Sequence, residues 1–132
     1  MKLSTRYAVV GLAALGVLSL VHWVCRSLDI GGKISAYLIG VLPNLAAALA
    51  IPFVLLSIWV EQRREATHVA ARRSFLRLTL LAGLGLIGWE FLQRGSRRLV
   101  FDAHDIGATL IGLLLGWLLF GWLTPQARSG EA

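Results

Sequence analysis

The side chains best suited to chemistry lie together between positions 90 and 105. Seven charged or amide residues occur there between two strongly apolar segments: Glu90, Gln93, Arg94, Arg97, Arg98, Asp102 and Asp105. Ionisable groups at the edge of a bilayer core are costly and tend to mark functional sites. Carboxylates can act as general bases, and arginines bind phosphate in a bidentate manner. A compact set with both signs of charge is suited to holding a polar lipid head group.

Helical spacing divides this cluster between two helix ends. Glu90, Gln93 and Arg94 follow at i, i+3 and i+4, so they share one face of a helix. A Gly-Ser pair after them is expected to turn the chain. Asp102 and Asp105 are again three residues apart. We expect Asp102 to cap the next helix or to lie in its first turn, where the helix dipole favours a carboxylate.

A stripe of small and polar residues continues along this last helix at steps of four, three and four. It consists of Asp105, Thr109, Gly112 and Gly116. Such faces let membrane helices approach closely. We expect the stripe to pack on the preceding helix, which would bring Glu90 and Asp105 into one pocket with Arg97 or Arg98 between them.

The composition requires these helices to lie in lipid. Of 132 residues, 57% are hydrophobic, and the mean hydropathy of +0.72 is far above that of a soluble protein. Spanning a bilayer takes about 20 apolar residues per helix. Residues 7–28, 34–60, 75–94 and 103–123 meet this length, and no stretch shows the period-two alternation of a barrel strand. The sequence predicts an all-α, polytopic membrane protein whose single domain, residues 1–132, is a four-transmembrane-helix bundle.

The basic residues predict the orientation of this bundle. Four spans put both termini and the central loop on one side, which carries 8 of the 13 Lys and Arg residues against 5 on the other. The positive-inside rule then places both termini in the cytoplasm and the 90–105 cluster outside the inner (cytoplasmic) membrane. The first span resembles a signal peptide, but its length favours an uncleaved helix. The basic central loop is expected to form a short helix on the anionic inner leaflet.

Asn44 is the other polar candidate within a span. It follows Pro43, which frees a backbone carbonyl one turn earlier, so local repair of the proline kink is the simplest role. A bond to the fourth helix near Thr109 is the alternative.

The remaining residue types indicate neither a metal nor a cofactor. The three His residues are dispersed, without metal-binding spacing. Cys25 is alone, so an internal disulfide is impossible. The chain has no Gly-rich phosphate loop and no aromatic-basic pattern, so we expect no nucleic-acid partner.

The pattern of the cluster resembles that of the VanZ-like membrane proteins. In that family E-x-x-Q precedes a short loop, R-x-x-x-D-x-x-D and a helix with an Asn and spaced glycines. The matching residues are Glu90, Gln93, Arg98, Asp102, Asp105, Gly112 and Gly116, and Thr109 stands where the family commonly has Asn. The first half departs from the family, whose Asp-Lys-x-x-His element is replaced by a separated Asp29 and Lys33.

The resemblance implies a multi-pass protein of the cell envelope associated with teicoplanin-type glycopeptide resistance. The suitability of Arg97 and Arg98 for bidentate contact with phosphate favours binding of an anionic membrane lipid or a lipid-linked cell-wall precursor. The expected ligand-binding residues are Asn44, Glu90, Gln93, Arg97, Arg98, Asp102, Asp105 and Thr109.

Two other classes of function stay open. A small intramembrane enzyme would use Glu90 or Asp105 as general base and Arg98 to stabilise developing negative charge. A structural or assembly partner, such as a homo-oligomer, would use Gly112 and Gly116 as its contact face.

Overall fold

The chain folds into four long helices. A computed structural model describes residues 1–27, 32–63, 67–94 and 102–124. The helices are α1 (Leu3–Ser27), α2 (Lys33–Gln62), α3 (His68–Arg94) and α4 (Ala103–Leu123), and no strand occurs in the described ranges. All four are long and apolar enough to cross a membrane. The predicted all-α, four-helix membrane fold is therefore confirmed, and the protein is a multi-pass membrane protein.

Two helices begin earlier than the hydropathy pattern predicts. α1 begins at Leu3 rather than at residue 7, and α3 begins at His68 rather than at residue 75. Thr67 starts α3 because its hydroxyl oxygen accepts the Ala70 N–H at 3.3 Å, as an N-cap residue does. Residues 68–74 of the basic loop are thus the first two turns of α3 and not a separate surface helix.

α2 is the central helix and packs against all three others. Alternate alanines in its middle, Ala46, Ala48 and Ala50, are buried, and their small side chains allow neighbouring backbones to approach. Pro43 and Pro52 lie inside α2 without ending it. Membrane helices tolerate internal proline because surrounding groups satisfy the freed backbone carbonyls.

The small-residue stripe of α4 packs mainly on α2, which corrects the expected contact with α3 at Gly112, whereas Gly116 lies near both α2 and Phe75 of α3. A Cβ atom added at Gly112 would lie 2.6 Å from the Leu45 carbonyl oxygen and 2.8 Å from the Cβ of Ala48. One at Gly116 would lie 3.4 Å from Leu49 Cδ1. These contacts advance together along both helices, since α2 and α4 run parallel. The alanine-rich surface of α2 is what accepts the backbone of α4.

The bundle has two different ends. The terminal end carries the first residues of α1 and α3 and the last residues of α2 and α4. The Glu90 end carries the opposite helix termini.

An aromatic cluster closes the terminal end. Each helix contributes one ring, and Tyr7, Phe53, Phe75 and Phe120 are all at most 4% exposed. The rings of Phe75 and Phe120 stack at 4.3 Å between centroids, and Phe53 lies 5.0 Å from Phe75. The Tyr7 and Thr124 hydroxyls are hydrogen-bonded at 2.7 Å, so the polar atoms in this cluster are satisfied.

The contact of α4 with α2 can be tested with two glycines of α4. We expect Gly112→Ala to destabilise the protein by about 1–3 kcal/mol, as overpacking does, because the added methyl group meets backbone that cannot retreat. Gly121→Ala is the matched control, since a Cβ there meets nothing within 4 Å. Unfolding of each variant in detergent, monitored by far-UV circular dichroism, measures its free energy of unfolding. Equal stability of the two variants would contradict the packing described here.

Candidate functional site

Glu90 is a carboxylate held inside the bundle. It lies four residues before the end of α3 and is only 2% exposed. Its Oε1 accepts hydrogen bonds from Gln93 Nε2 at 3.1 Å and from Asn44 Nδ2 at 3.4 Å. Both donors therefore use the same oxygen. Glu90 Oε2 is buried and has no hydrogen-bond partner among the described residues, a costly state that calls for an explanation such as a bound group.

Helix geometry explains the depth at which the Glu90 carboxylate lies. Side chains on an α-helix lean towards its N-terminus, so a residue near the C-terminal end of α3 leans back towards the membrane interior. Gln93, one turn later on the same face, leans over Glu90 in the same way. Asn44 approaches from α2 and completes the pair of amide donors.

The partner of Asn44 differs from both sequence-based interpretations. Its side chain bonds α3, neither repairing the Pro43 kink nor reaching Thr109. Thr109 is fully buried, and its hydroxyl donates to the Asp105 carbonyl oxygen on its own helix at 2.9 Å. Asn44 thus belongs to the Glu90 site, while the Thr109 hydroxyl is bonded within α4.

Asp105 lies at the same height as Glu90 on the neighbouring helix. α3 and α4 are antiparallel, and a Cβ added at Gly83 would lie 2.7 Å from Leu113 Cδ1. Moving about two turns from this contact towards the Glu90 end leads to Glu90 on α3 and to Asp105 on α4. The Oδ1 atom of Asp105 is also buried and lacks a partner in the described ranges. Two incompletely paired carboxylates therefore occupy one level of the bundle.

Asp102 acts as the N-cap of α4, as the sequence predicts. Its Oδ1 accepts the backbone N–H of His104 at 2.8 Å, and the His104 ring Nδ1 lies 2.9 Å from the same oxygen. The backbone hydrogen bond, followed by the side-chain one, holds the pKa of Asp102 below its ordinary value. The His104 ring packs edge-on against Tyr37 at 5.4 Å. Asp102 therefore fixes the start of the helix that carries Asp105.

Other predicted site residues are placed differently or lie outside the description. Gly112 and Gly116 are buried deeper in the bundle against α2. Arg97 and Arg98 lie outside the described residues. Within the described ranges, no group of three His, Cys, Asp or Glu could hold a metal ion.

A second polar cluster, at the terminal end, escaped the sequence reasoning. Ser4 Oγ donates to Glu61 Oε2 at 2.5 Å, and Lys2 Nζ lies 3.6 Å from Glu61 Oε1. These residues line or adjoin an open groove of about 500 Å³. The sequence could have indicated this cluster, because Ser4 and Glu61 lie just outside the first two predicted spans on the same side of the membrane.

Comparisons of the chain with protein-family models, with curated proteins and with solved structures find no match. The geometry itself defines a membrane protein with two buried, unpartnered carboxylate oxygens, one on Glu90 of α3 and one on Asp105 of α4, and with Asn44 of α2 bonded to Glu90. We call the surroundings of these two oxygens the pocket. The pocket offers carboxylate oxygens as hydrogen-bond acceptors, and it places them close to the end of a span.

A double-mutant cycle tests the bond between α2 and α3. Interhelical hydrogen bonds in membrane proteins average about 0.6 kcal/mol by this method, so we expect a coupling of that size between Asn44→Ala and Glu90→Ala. Asn44→Ala combined with Ser57→Ala is the control and should be additive, because the Ser57 hydroxyl bonds the Val54 carbonyl oxygen of its own helix and lies more than three turns from Asn44. Unfolding in detergent provides the energies. An additive Asn44/Glu90 pair would show that the two side chains do not interact.

Proposed function

We propose that this protein binds the phosphate-bearing head group of an anionic lipid or of a lipid-linked cell-envelope precursor. Through this binding it contributes to teicoplanin-type glycopeptide resistance or to envelope homeostasis, as the resemblance to VanZ-like proteins implies. The observation that carries the proposal is the buried Glu90 carboxylate, fixed through one oxygen and left without a partner at the other. Unpaired ionisable groups in a membrane protein are functional candidates by default.

The position of the pocket favours a lipid head group as ligand. Four residues of helix separate Glu90 from the end of α3, a rise of about 6 Å. Neighbouring apolar side chains on α3, including Trp89 and Leu92, are exposed to the surroundings, and tryptophan is typical of the membrane interface. A head group held by its acyl chains in the same leaflet would lie at this depth.

The sequence next to the pocket supplies the residues suited to phosphate. Arg94, Arg97 and Arg98 follow Gln93 directly along the chain. A guanidinium group binds phosphate through two parallel hydrogen bonds, and it keeps its charge at any physiological pH. In this proposal Arg98, with Arg97, contacts the phosphate, and the pocket around Glu90 and Asp105 receives the rest of the head group.

We further propose that the Glu90 end faces outward across the inner membrane and that both termini are cytoplasmic. The unequal distribution of Lys and Arg, 8 against 5, supports this orientation through the positive-inside rule. A ligand would then reach the pocket from the outer leaflet.

Single-cysteine labelling tests the orientation. Cys25 is the only cysteine, so a Cys25→Ser background can carry one reporter at a time. Lys33 and His68 are both exposed and lie at opposite ends of the bundle. We expect Lys33→Cys to react with a membrane-impermeant maleimide in intact spheroplasts, and His68→Cys to react only after permeabilisation. The reverse pattern would overturn the proposed orientation.

Native mass spectrometry of the protein purified in mild detergent tests the proposed binding. We expect wild type to retain a defined lipid and the double variant Arg98→Ala/Asp105→Asn to lose it by about tenfold or more, since it lacks charge-assisted hydrogen bonds. Arg63→Ala/Glu61→Gln, at the terminal end, is the matched control and should retain the lipid. Equal retention by wild type and the Arg98/Asp105 variant would contradict the proposal. A lipid chemically altered only by wild type would favour the intramembrane enzyme instead.

A further inference from the structure

The unpaired atoms of the pocket indicate which chemical group it lacks. Glu90 Oε2 and Asp105 Oδ1 are buried and have no partner in the described ranges. An ionised carboxylate accepts hydrogen bonds but donates none. Hydrogen bonds to a carboxylate are strongest when the donor carries positive charge. The missing group is therefore a hydrogen-bond donor that carries positive charge.

The described side chains around the pocket do not supply this group. Asn44 and Gln93 both donate to the other oxygen of Glu90. The described basic residues of α2 and α4 at the Glu90 end are Lys33 and His104, and both are exposed. His104 is in addition held by Asp102 and by the ring of Tyr37.

A phosphate group cannot fill the same place. It would bring negative charge against two carboxylates in an environment that screens charge poorly. The phosphate of a bound head group must therefore lie away from Glu90 and Asp105, and a different part of the head group must contact them.

We propose that the pocket binds a primary ammonium group that belongs to a phosphate-bearing lipid. An ammonium has three N–H donors on one compact positive charge, so it has enough donors for both unpaired oxygens. A hydroxyl group has a single donor and no charge, and a quaternary ammonium has no N–H donor. This inference rests on the proposed function. It keeps the phosphate contact of that function but replaces net negative charge with an amine as the selecting feature, so the ligand is an aminophospholipid or an amine-bearing lipid-linked precursor.

Competition among three lipids with identical acyl chains tests the inference. The purified full chain is mixed with equimolar phosphatidylethanolamine, phosphatidylcholine and phosphatidylglycerol, and bound lipid is read by native mass spectrometry. Phosphatidylethanolamine and phosphatidylcholine share the phosphate and differ in the N–H donors. We expect wild type to prefer phosphatidylethanolamine over both others by about tenfold or more, the effect of losing a charge-assisted hydrogen bond.

Variants assign the preference to the pocket. Glu90→Gln replaces the hydrogen-bond-accepting carboxylate with a neutral amide. The amount of bound phosphatidylethanolamine should therefore fall to that of phosphatidylcholine. Glu61→Gln makes the same change at the terminal end and should keep the full preference. Circular dichroism and gel filtration show whether each variant folds. If Glu90→Gln does not fold, Asp105→Asn takes its place, and we expect the same loss of preference.

The outcomes separate this inference from the function on which it rests. Equal binding of phosphatidylethanolamine and phosphatidylcholine, or a preference for phosphatidylglycerol, overturns the ammonium site and leaves a lipid site standing. Retention of no lipid of any class overturns both. An amine-bearing lipid-linked precursor can be added with and without N-acetylation of its amine. If only the precursor with the free amine displaces phosphatidylethanolamine, the precursor is the source of the amine. Failure of both forms to displace it identifies the aminophospholipid.

Discussion

The close approach of α4 to the backbone of α2 at Gly112 is the contact on which the rest of the bundle depends. A Cβ at this position would lie only 2.6 Å from the Leu45 carbonyl oxygen. Asn44 precedes Leu45 in the chain, and Asp105 lies about two turns before Gly112, so this contact sets the height of both polar side chains. Because lipid is as apolar as the helix faces, no hydrophobic driving force holds helices together in a membrane. Close packing between small residues stabilises their association instead.

The two ends of the bundle are held together by different means. At the terminal end one aromatic ring from each helix contributes to a buried cluster, with the Tyr7 hydroxyl satisfied by Thr124. At the Glu90 end the helices are joined through amide donors and a carboxylate, which leaves polar atoms unpaired. The packed apolar cluster at the terminal end therefore contributes stability that offsets the energetic cost of the unpaired polar atoms at the Glu90 end.

The four helices are predictable from the sequence because length and hydropathy alone identify a span. The starts of α1 and α3 are not predictable in this way, because polar residues can extend a helix without raising its hydropathy. The stripe through Gly112 indicates a close approach but not its partner, and the expected partner, α3, is wrong at Gly112, which packs on α2. Glu90 stands out because a carboxylate in a span is costly. Its bond to Asn44 could not be predicted, because the two residues are 46 positions apart.

The unequal lengths of the two parallel helices make the protein responsive to the membrane around it. α2 has 30 residues and α4 has 21, so α2 rises about 45 Å and α4 about 32 Å. The hydrocarbon core of a bilayer is about 30 Å thick, which matches α4 and leaves α2 too long. Hydrophobic mismatch of this kind is relieved by tilting or by local thickening of the bilayer. Because α2 carries Asn44, we expect a change in the tilt of α2 to alter the geometry of the pocket, so that bilayer thickness would influence it.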